Sequence, residues 1–143
     1  MPDKDTASAP MGASLSMRAV ACKRWRWLPG MAAQSDGPTT PRVLGVRPSG
    51  RPWMHDGDDR ASGFLGDVWP LAPDLDDPAT LGCLLALVRE AWGTCVDIEE
   101  FFTNTGSHQF EVSIHAPGDI DDPLMFRGGS LASALVAALE AAP

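Results

Sequence analysis

The chain has 143 residues, of which 44% are apolar, enough to bury one ordinary core but too few for two. Its formal net charge of -8 is uneven: residues 1–60 carry nine Lys and Arg against six Asp and Glu, whereas residues 61–143 carry two against thirteen. An acidic half of this kind repels phosphate and argues against direct nucleic-acid binding. Three cysteines without a CxxC pair exclude a disulfide framework, and no apolar run approaches the roughly 20 residues of a membrane helix. We therefore expect a cytoplasmic protein.

The sequence predicts an α+β domain in which a small antiparallel sheet packs against two helices, near residues 78–92 and 131–142. Residues 1–16 are small, polar and without a hydrophobic period, so they are expected to form a disordered tail. Residues 17–143 are expected to form the single domain. It consists of a part rich in strands and loops, residues 17–76, and a helix–strand–strand–helix part, residues 77–143.

A run of alternating cations and indoles, Lys23–Met31, is the most conspicuous N-terminal feature. In an extended chain, alternation places Trp25 and Trp27 on one face and Arg24 and Arg26 on the other. One interpretation is an edge strand whose indoles cover the core. The other is an arm that binds an anionic ligand such as a nucleotide or a single-stranded nucleic acid.

The segment from Gln34 to Gly66 is rich in Gly, Pro, Asp and Ser, and short apolar pieces within it predict brief strands at residues 43–46, 53–54 and 64–65. The acidic turn at residues 55–59 lacks the spacing of an EF-hand, so we interpret it as a solvated hairpin turn and predict no metal site. Residues 67–78 contain three prolines and are expected to be an extended connector.

Residues 78–92 have the strongest helix signal. Asp77 suits the N-cap, Pro78 the first helical position and Gly93 a left-handed C-terminal residue. Apolar residues recur between them at helical spacing, forming one stripe of Leu81, Leu84, Leu85, Val88 and Trp92.

Two strands follow, because apolar and polar residues alternate around Val96 and Ile98 and again from Phe110 to Ile114. Residues 103–107 are expected to connect them as a hairpin loop, and residues 124–126 to form a further short strand. His108 and His115 are seven residues apart and should lie on opposite faces, which opposes joint metal binding. The carboxylates of Glu99, Glu100 and Glu111 either gather on one face as an acid/base group or simply face solvent.

The second helix is expected over residues 131–142, with Ser130 as its N-cap. Gly129 and Ser130 at its start form the one turn in the chain that resembles an anion site, although it lacks the lysine of a P-loop. The face opposite its apolar stripe is also mostly alanine or valine. The helix therefore either packs closely inside the domain or forms an assembly surface of a homo-oligomer.

Three segments resemble uncharacterised small proteins encoded by phages and prophages: residues 24–31, residues 77–93 and residues 134–143. The helix–strand–strand–helix order of residues 77–143 also resembles the domain called the phage ABA sandwich, a sheet between helices. The resemblance carries no catalytic residue or cofactor. It implies a non-enzymatic phage accessory protein that acts by binding, against a host defence system.

Two modes of binding are open. An acidic face occupies a basic channel on a host protein, or the cation–indole run sequesters a small anionic nucleotide, with Arg24, Trp25, Arg26, Trp27, Gly129 and Ser130 as the candidate ligand-binding residues. The alternatives are a small hydrolase that uses clustered Glu and His residues, and a structural phage component.

Overall fold

The computed structural model describes residues 14–34, 40–55, 72–116 and 121–143. These residues form an α+β fold, as predicted, with helices and two antiparallel sheets. The elements in chain order are α1 (Leu15–Ala21), β1 (Arg42–Val46), β2 (Pro52–His55), α2 (Pro78–Trp92), β3 (Val96–Phe102), β4 (His108–Ile114), β5 (Leu124–Gly128) and α3 (Leu131–Glu140).

Helix α2 begins and ends where its local signals predict. Asp77 is extended at the N-cap and its carboxylate accepts a hydrogen bond from the amide of Thr80 at 2.9 Å, while Pro78 occupies the first turn. At the other end Gly93 adopts the left-handed conformation, with φ of 63°, and its amide donates to the carbonyl of Arg89. The boundaries predicted for this helix are therefore confirmed.

The larger sheet has the strand order β3-β4-β5, with both neighbouring pairs antiparallel. The predicted loop between β3 and β4 is confirmed: the amide of Thr103 donates to the carbonyl of Ser107, and Gly106 supplies a positive φ of 83°. The predicted third strand is present and extends two residues further, to Gly128. Phe110, Val112 and Ile114 alternate onto one face, which is the face toward the core.

Helices α2 and α3 pack on this apolar face. Trp92 of α2 contacts the Phe126 ring of β5, with ring centroids 6.2 Å apart, and its indole nitrogen donates to the carbonyl of Ala138 in α3 at 2.9 Å. The opposite face carries polar residues of β3 and β4 instead.

Helix α3 is buried around most of its circumference, because it contacts β4 and β5, α2 and α1. The side chains that take part are Ala132, Ala134, Leu135, Val136, Ala138 and Leu139, none more than 6% exposed. These side chains are therefore used inside the domain. The helix ends at Glu140, two residues before the predicted end.

Helix α1 corrects the predicted bounds of the disordered tail. Ser14 accepts a hydrogen bond from the amide of Met17 as N-cap, so residues 14–16 belong to a helix start, whereas residues 1–13 lie outside the described part of the chain. Ser16 is buried, and its hydroxyl accepts a bond from the Gln34 side chain at 3.1 Å. The two residues are 18 positions apart in the chain. The start of α1 is therefore held in place by a contact that local sequence patterns do not predict.

The smaller sheet is the β1–β2 hairpin, and the strands predicted at residues 43–46 and 53–54 are confirmed. Its register shifts between Val43 and Gly45, where the Trp53 indole lies across Gly45. The strand expected at residues 64–65, residues 56–59 of the acidic turn and residues 67–71 of the connector lie outside the described residues. The rest of the connector is ordered against residues 32–34 by the amides of Gln34 and Asp74.

The two parts of the domain share one continuous core. Val43 and Met31 from the strand-rich part lie in the same buried cluster as Leu84 of α2 and Val112 of β4. A polar network joins the parts as well: Arg42 contacts the Asp77 carboxylate at 2.7 Å, and the Thr80 hydroxyl accepts the buried amide of Ala32 at 2.8 Å. The helical part is thereby fixed to the strand-rich part.

Candidate functional site

The cation–indole run begins in a turn, in which the amide of Trp25 donates to the carbonyl of Cys22. Trp27 is 6% exposed and Trp25 is half-buried against the core, with the two rings T-shaped at a centroid distance of 5.5 Å, while Arg24 and Arg26 face outward. The predicted edge strand is wrong, because the segment has no ladder to a neighbouring strand among the described residues. Both indoles pack in or against the hydrophobic core and do not form an open surface on which bases could stack.

Both arginines of the run already have partners within the chain. Arg26 binds Glu90 of α2 through both carboxylate oxygens, at 2.7 and 2.5 Å. The hydrogen bond between them raises the pKa of Arg26 and lowers the pKa of Glu90, so both groups stay charged. Arg24 donates through Nε and Nη2 to the main-chain oxygen of Pro143, at 2.9 and 2.6 Å. An incoming anion competes with these contacts.

The run and helix α2 enclose a small notch of about 230 Å³, called here the basic notch. Three cations and one carboxylate surround it, together with an indole and apolar side chains of α2: Lys23, Arg24, Arg26, Glu90, Trp25, Leu87 and Ala91. Within the described part of the chain, the Nε1 of Trp25 is buried and has no hydrogen-bond acceptor. A buried donor without an acceptor is costly to stability.

Gly129 and Ser130 lie at the start of α3, whereas Arg24 binds beyond its end, at Pro143. The six residues predicted to bind a ligand are thus not brought together. Ser130 and Ser133 also form a reciprocal capping box, in which each hydroxyl accepts the other's amide at 3.1 Å. The free amides of the first turn are therefore partly satisfied by the chain itself.

The histidines lie on opposite faces of the sheet, as predicted. His115 contacts Asp97 at 2.9 Å on the polar face, whereas His108 pairs with Glu100 on the apolar face. The predicted gathering of carboxylates is only partial, because Glu99 and Glu111 are direct cross-strand partners and Glu100 points the other way. Among the described residues, no group of three or more His, Cys, Asp and Glu is placed to hold a metal ion.

The outer strand of the larger sheet forms a feature that the sequence did not single out. Among the residues that the structure describes, β3 pairs only with β4, and its side chains Asp97, Glu99 and Glu100 are all exposed. We call these three carboxylates with the free side of the β3 backbone the acidic edge. Two apolar side chains are exposed on the same strand, Ile98 at 39% and Phe102 at 72%. The acidic residues of this strand are visible in the sequence. Its position at the edge of the sheet follows only from the strand order of the fold.

The polar face beside this edge contains a buried carboxylate. Glu111 on the central strand is 7% exposed and accepts a hydrogen bond from Nε of Arg127 at 2.5 Å. The Arg127 guanidinium also lies 5.4 Å from the centre of the Phe101 ring. Glu111 is thus neutralised on the β5 side, whereas Glu99 faces it from the β3 side without a cation among the described residues.

No family model matches the chain, and no curated protein or solved structure matches it. A search of the described helices finds none that is both long enough and apolar enough to cross a bilayer.

Proposed function

We propose that this protein acts by binding, and that the acidic edge docks onto a basic surface of a partner protein. The partner fitting this chemistry best is a host protein with a basic channel or strand, of the kind that binds nucleic acid. Origin from a phage or prophage, and action in the host cytoplasm against a defence system, belong to the same proposal. The observation that carries it is an open sheet edge lined with exposed carboxylates.

An edge strand offers a row of backbone donors and acceptors to a further strand. Strand β3 keeps that side open among the described residues, and it extends over seven residues, from Val96 to Phe102. Cross-strand side chains decide which strand is accepted, because opposite charges attract and like charges repel. A strand bearing Lys or Arg therefore fits beside Asp97 and Glu99 on one face and Glu100 on the other.

The charge on the edge is only partly compensated within the chain. Asp97 and Glu100 each contact a histidine, whereas Glu99 lies directly opposite the Glu111 carboxylate. Because Glu111 is already paired with Arg127, what a cation from a partner gains here is attraction to Glu99. The thirteen acidic residues after position 60 extend the same field over a longer range and speed the encounter with a cationic partner.

Exposed apolar side chains supply the contact area that charge alone lacks. Phe102 stacks on His108 with ring centroids 5.0 Å apart and remains 72% exposed, at the end of the strand nearest the hairpin loop. Ring pairs held in place in this way lose little conformational freedom on binding. Phe102 therefore provides an aromatic anchor beside the carboxylates.

The test uses a synthetic peptide of alternating lysine and valine, with affinity measured by calorimetry. The variant Asp97→Asn/Glu99→Gln/Glu100→Gln is expected to bind at least about tenfold more weakly, since three charge pairs of up to about 1 kcal/mol each are lost. The matched control, Asp76→Asn/Asp121→Asn/Asp122→Asn, removes the same charge from exposed positions elsewhere and should retain the affinity. Equal weakening of both variants would show that only net charge matters and would reject the docking site.

The basic notch supports a second candidate function, capture of a small anionic nucleotide. The supporting observation is a cavity lined by Lys23, Arg24 and Arg26 beside the indole of Trp25. Phosphate oxygens accept from ammonium and guanidinium groups. We place this function second because Arg26 must first leave Glu90.

Calorimetry with 3′,5′-cyclic AMP tests the second candidate. The variant Lys23→Ala/Arg26→Ala should lose binding, while Arg89→Ala on the outer part of α2 should not change it. Absence of heat with the unaltered protein, or the same affinity in all three proteins, would remove the notch from consideration.

The remaining alternatives receive less support. The clustered Glu and His residues expected of a hydrolase are divided between the two faces of the sheet, as Glu100 with His108 and Asp97 with His115. A structural phage component was favoured by an exposed alanine-rich helix, and α3 is instead buried.

A further inference from the structure

The larger sheet has a second edge, and its chemistry differs from that of the first. Strand β5, Leu124–Gly128, pairs with β4 on one side and with no further strand among the described residues. Two of its side chains are apolar and largely exposed, Leu124 at 53% and Met125 at 54%. The strand contains no acidic residue, and its one charge is Arg127, which is bound to Glu111. An open apolar edge of this kind favours pairing with another strand.

We propose that β5 pairs antiparallel with β5 of a second copy of this chain, joining two three-stranded sheets into one of six strands. Placing Phe126 on the two-fold axis sets Met125 of each copy opposite Arg127 of the other, and Leu124 opposite Gly128. No like charges then face each other along the paired strands. Each residue contacts its counterpart reciprocally, as a closed two-fold interface requires.

Charge explains why a second copy pairs through β5 and not through β3. The chain carries a net charge of -8, so two copies repel each other over most of their surface. Self-pairing of β3 would set exposed carboxylates of one copy against those of the other, whereas the β5 edge presents its single cation. Extending the β5 register by two residues brings Asp122 to Ser130 of the second copy, at the positive end of its α3.

Sedimentation velocity at micromolar concentration tests the proposal with a pair of charge variants at one position. Met125→Lys puts a cation opposite Arg127 of the second copy and should raise the dimer dissociation constant at least about tenfold, whereas Met125→Glu puts an anion there and should lower it. The net charge acts in the opposite direction, because the glutamate variant is the more acidic one. The expected order therefore cannot arise from general repulsion.

Leu44→Lys is the matched control, since Leu44 is 49% exposed on the β1–β2 hairpin, away from the larger sheet. It should sediment as a dimer, like the unaltered chain. A monomeric unaltered chain overturns the proposal. So does a dimer that either ignores both Met125 substitutions or is weakened equally by them, because the interface then does not bring Met125 to Arg127.

Discussion

Asp77 shows how one residue can connect local and long-range structure. Its carboxylate caps α2 through the amide of Thr80, accepts the Thr80 hydroxyl at 3.0 Å and binds Arg42 of β1 at 2.7 and 3.1 Å. The cap could be predicted, because the residue type and the following proline signal it locally. The contact with Arg42 could not, since it depends on how the chain returns over 35 residues.

Ionisation of the Asp77 carboxyl should make the free energy of unfolding depend on pH in the acidic range. The hydrogen bond from Arg42 is the largest influence that holds the pKa of Asp77 below its usual range. Because the folded pKa lies below the unfolded value of about 4, the ionised group stabilises the fold fully above about pH 4 and loses this effect as pH falls toward the folded pKa.

Asp77→Asn keeps a side-chain acceptor for the cap but removes the charge that Arg42 binds. The free energy of unfolding, measured by urea at a series of pH values, should show a deficit relative to the unaltered protein near neutral pH. That deficit should shrink below about pH 4. A deficit of constant size down to acid pH would mean that ionisation of Asp77 does not contribute.

Thr80 offers a second test at the scale of one residue. It is fully buried, and its hydroxyl is the acceptor for the buried amide of Ala32 at 2.8 Å. Thr80→Val has nearly the same shape but leaves that amide unpaired, so we expect a loss of about 1–3 kcal/mol in urea unfolding. Thr80→Ser retains the hydroxyl and should cost less. A valine variant more stable than the serine variant would contradict the role given to this bond.

Elements whose ends are encoded locally could be predicted, and elements held by distant contacts could not. Helix α2 has a cap, a proline and a terminal glycine, and the β3–β4 hairpin has clear alternation, so their positions follow from the sequence. Helix α1 has only seven residues and packs on α3, with Arg18 bound to Glu140 at 2.8 Å. Short helices are marginal alone, so its stability comes from that packing.

In the β1–β2 hairpin, Gly45 lies against the indole of Trp53. A Cβ added to Gly45 would lie 2.5 Å from Nε1 of Trp53, which is too close, so the indole must move. Gly45→Ala should therefore destabilise the protein, while in a Trp53→Ala background the same substitution should cost much less. Urea unfolding of the unaltered protein, the two single variants and the double variant gives the coupling free energy between Gly45 and Trp53. Additive effects would show that the indole does not restrict this position.

At the scale of the whole molecule, the uneven charge of the sequence is used in folding. Cations of the first half bind carboxylates of the second: Arg18 to Glu140, Arg26 to Glu90 and Arg42 to Asp77. The charge asymmetry is visible in the sequence, and the alternation of Lys23–Met31 predicted the outward position of Arg24 and Arg26. It did not predict that these arginines would have partners within the chain, because the partners lie 64 and 119 residues away.

The acidic edge was visible in the sequence only as alternating carboxylates. Whether such a strand is central or at an edge depends on the strand order, and the order β3-β4-β5 places it outside. Within the described ranges, the same topology also leaves β5 open at the other end of the sheet. The site proposed here is therefore a property of the fold more than of any motif.

Amide hydrogen exchange of the full chain, with and without the lysine–valine peptide, tests the docking site most directly. If the peptide adds a strand to the acidic edge, amides within Val96–Phe102 that point away from β4 should exchange more slowly when it is bound. Unchanged exchange in β3, with slower exchange instead around Lys23–Arg26 or nowhere, would contradict the account.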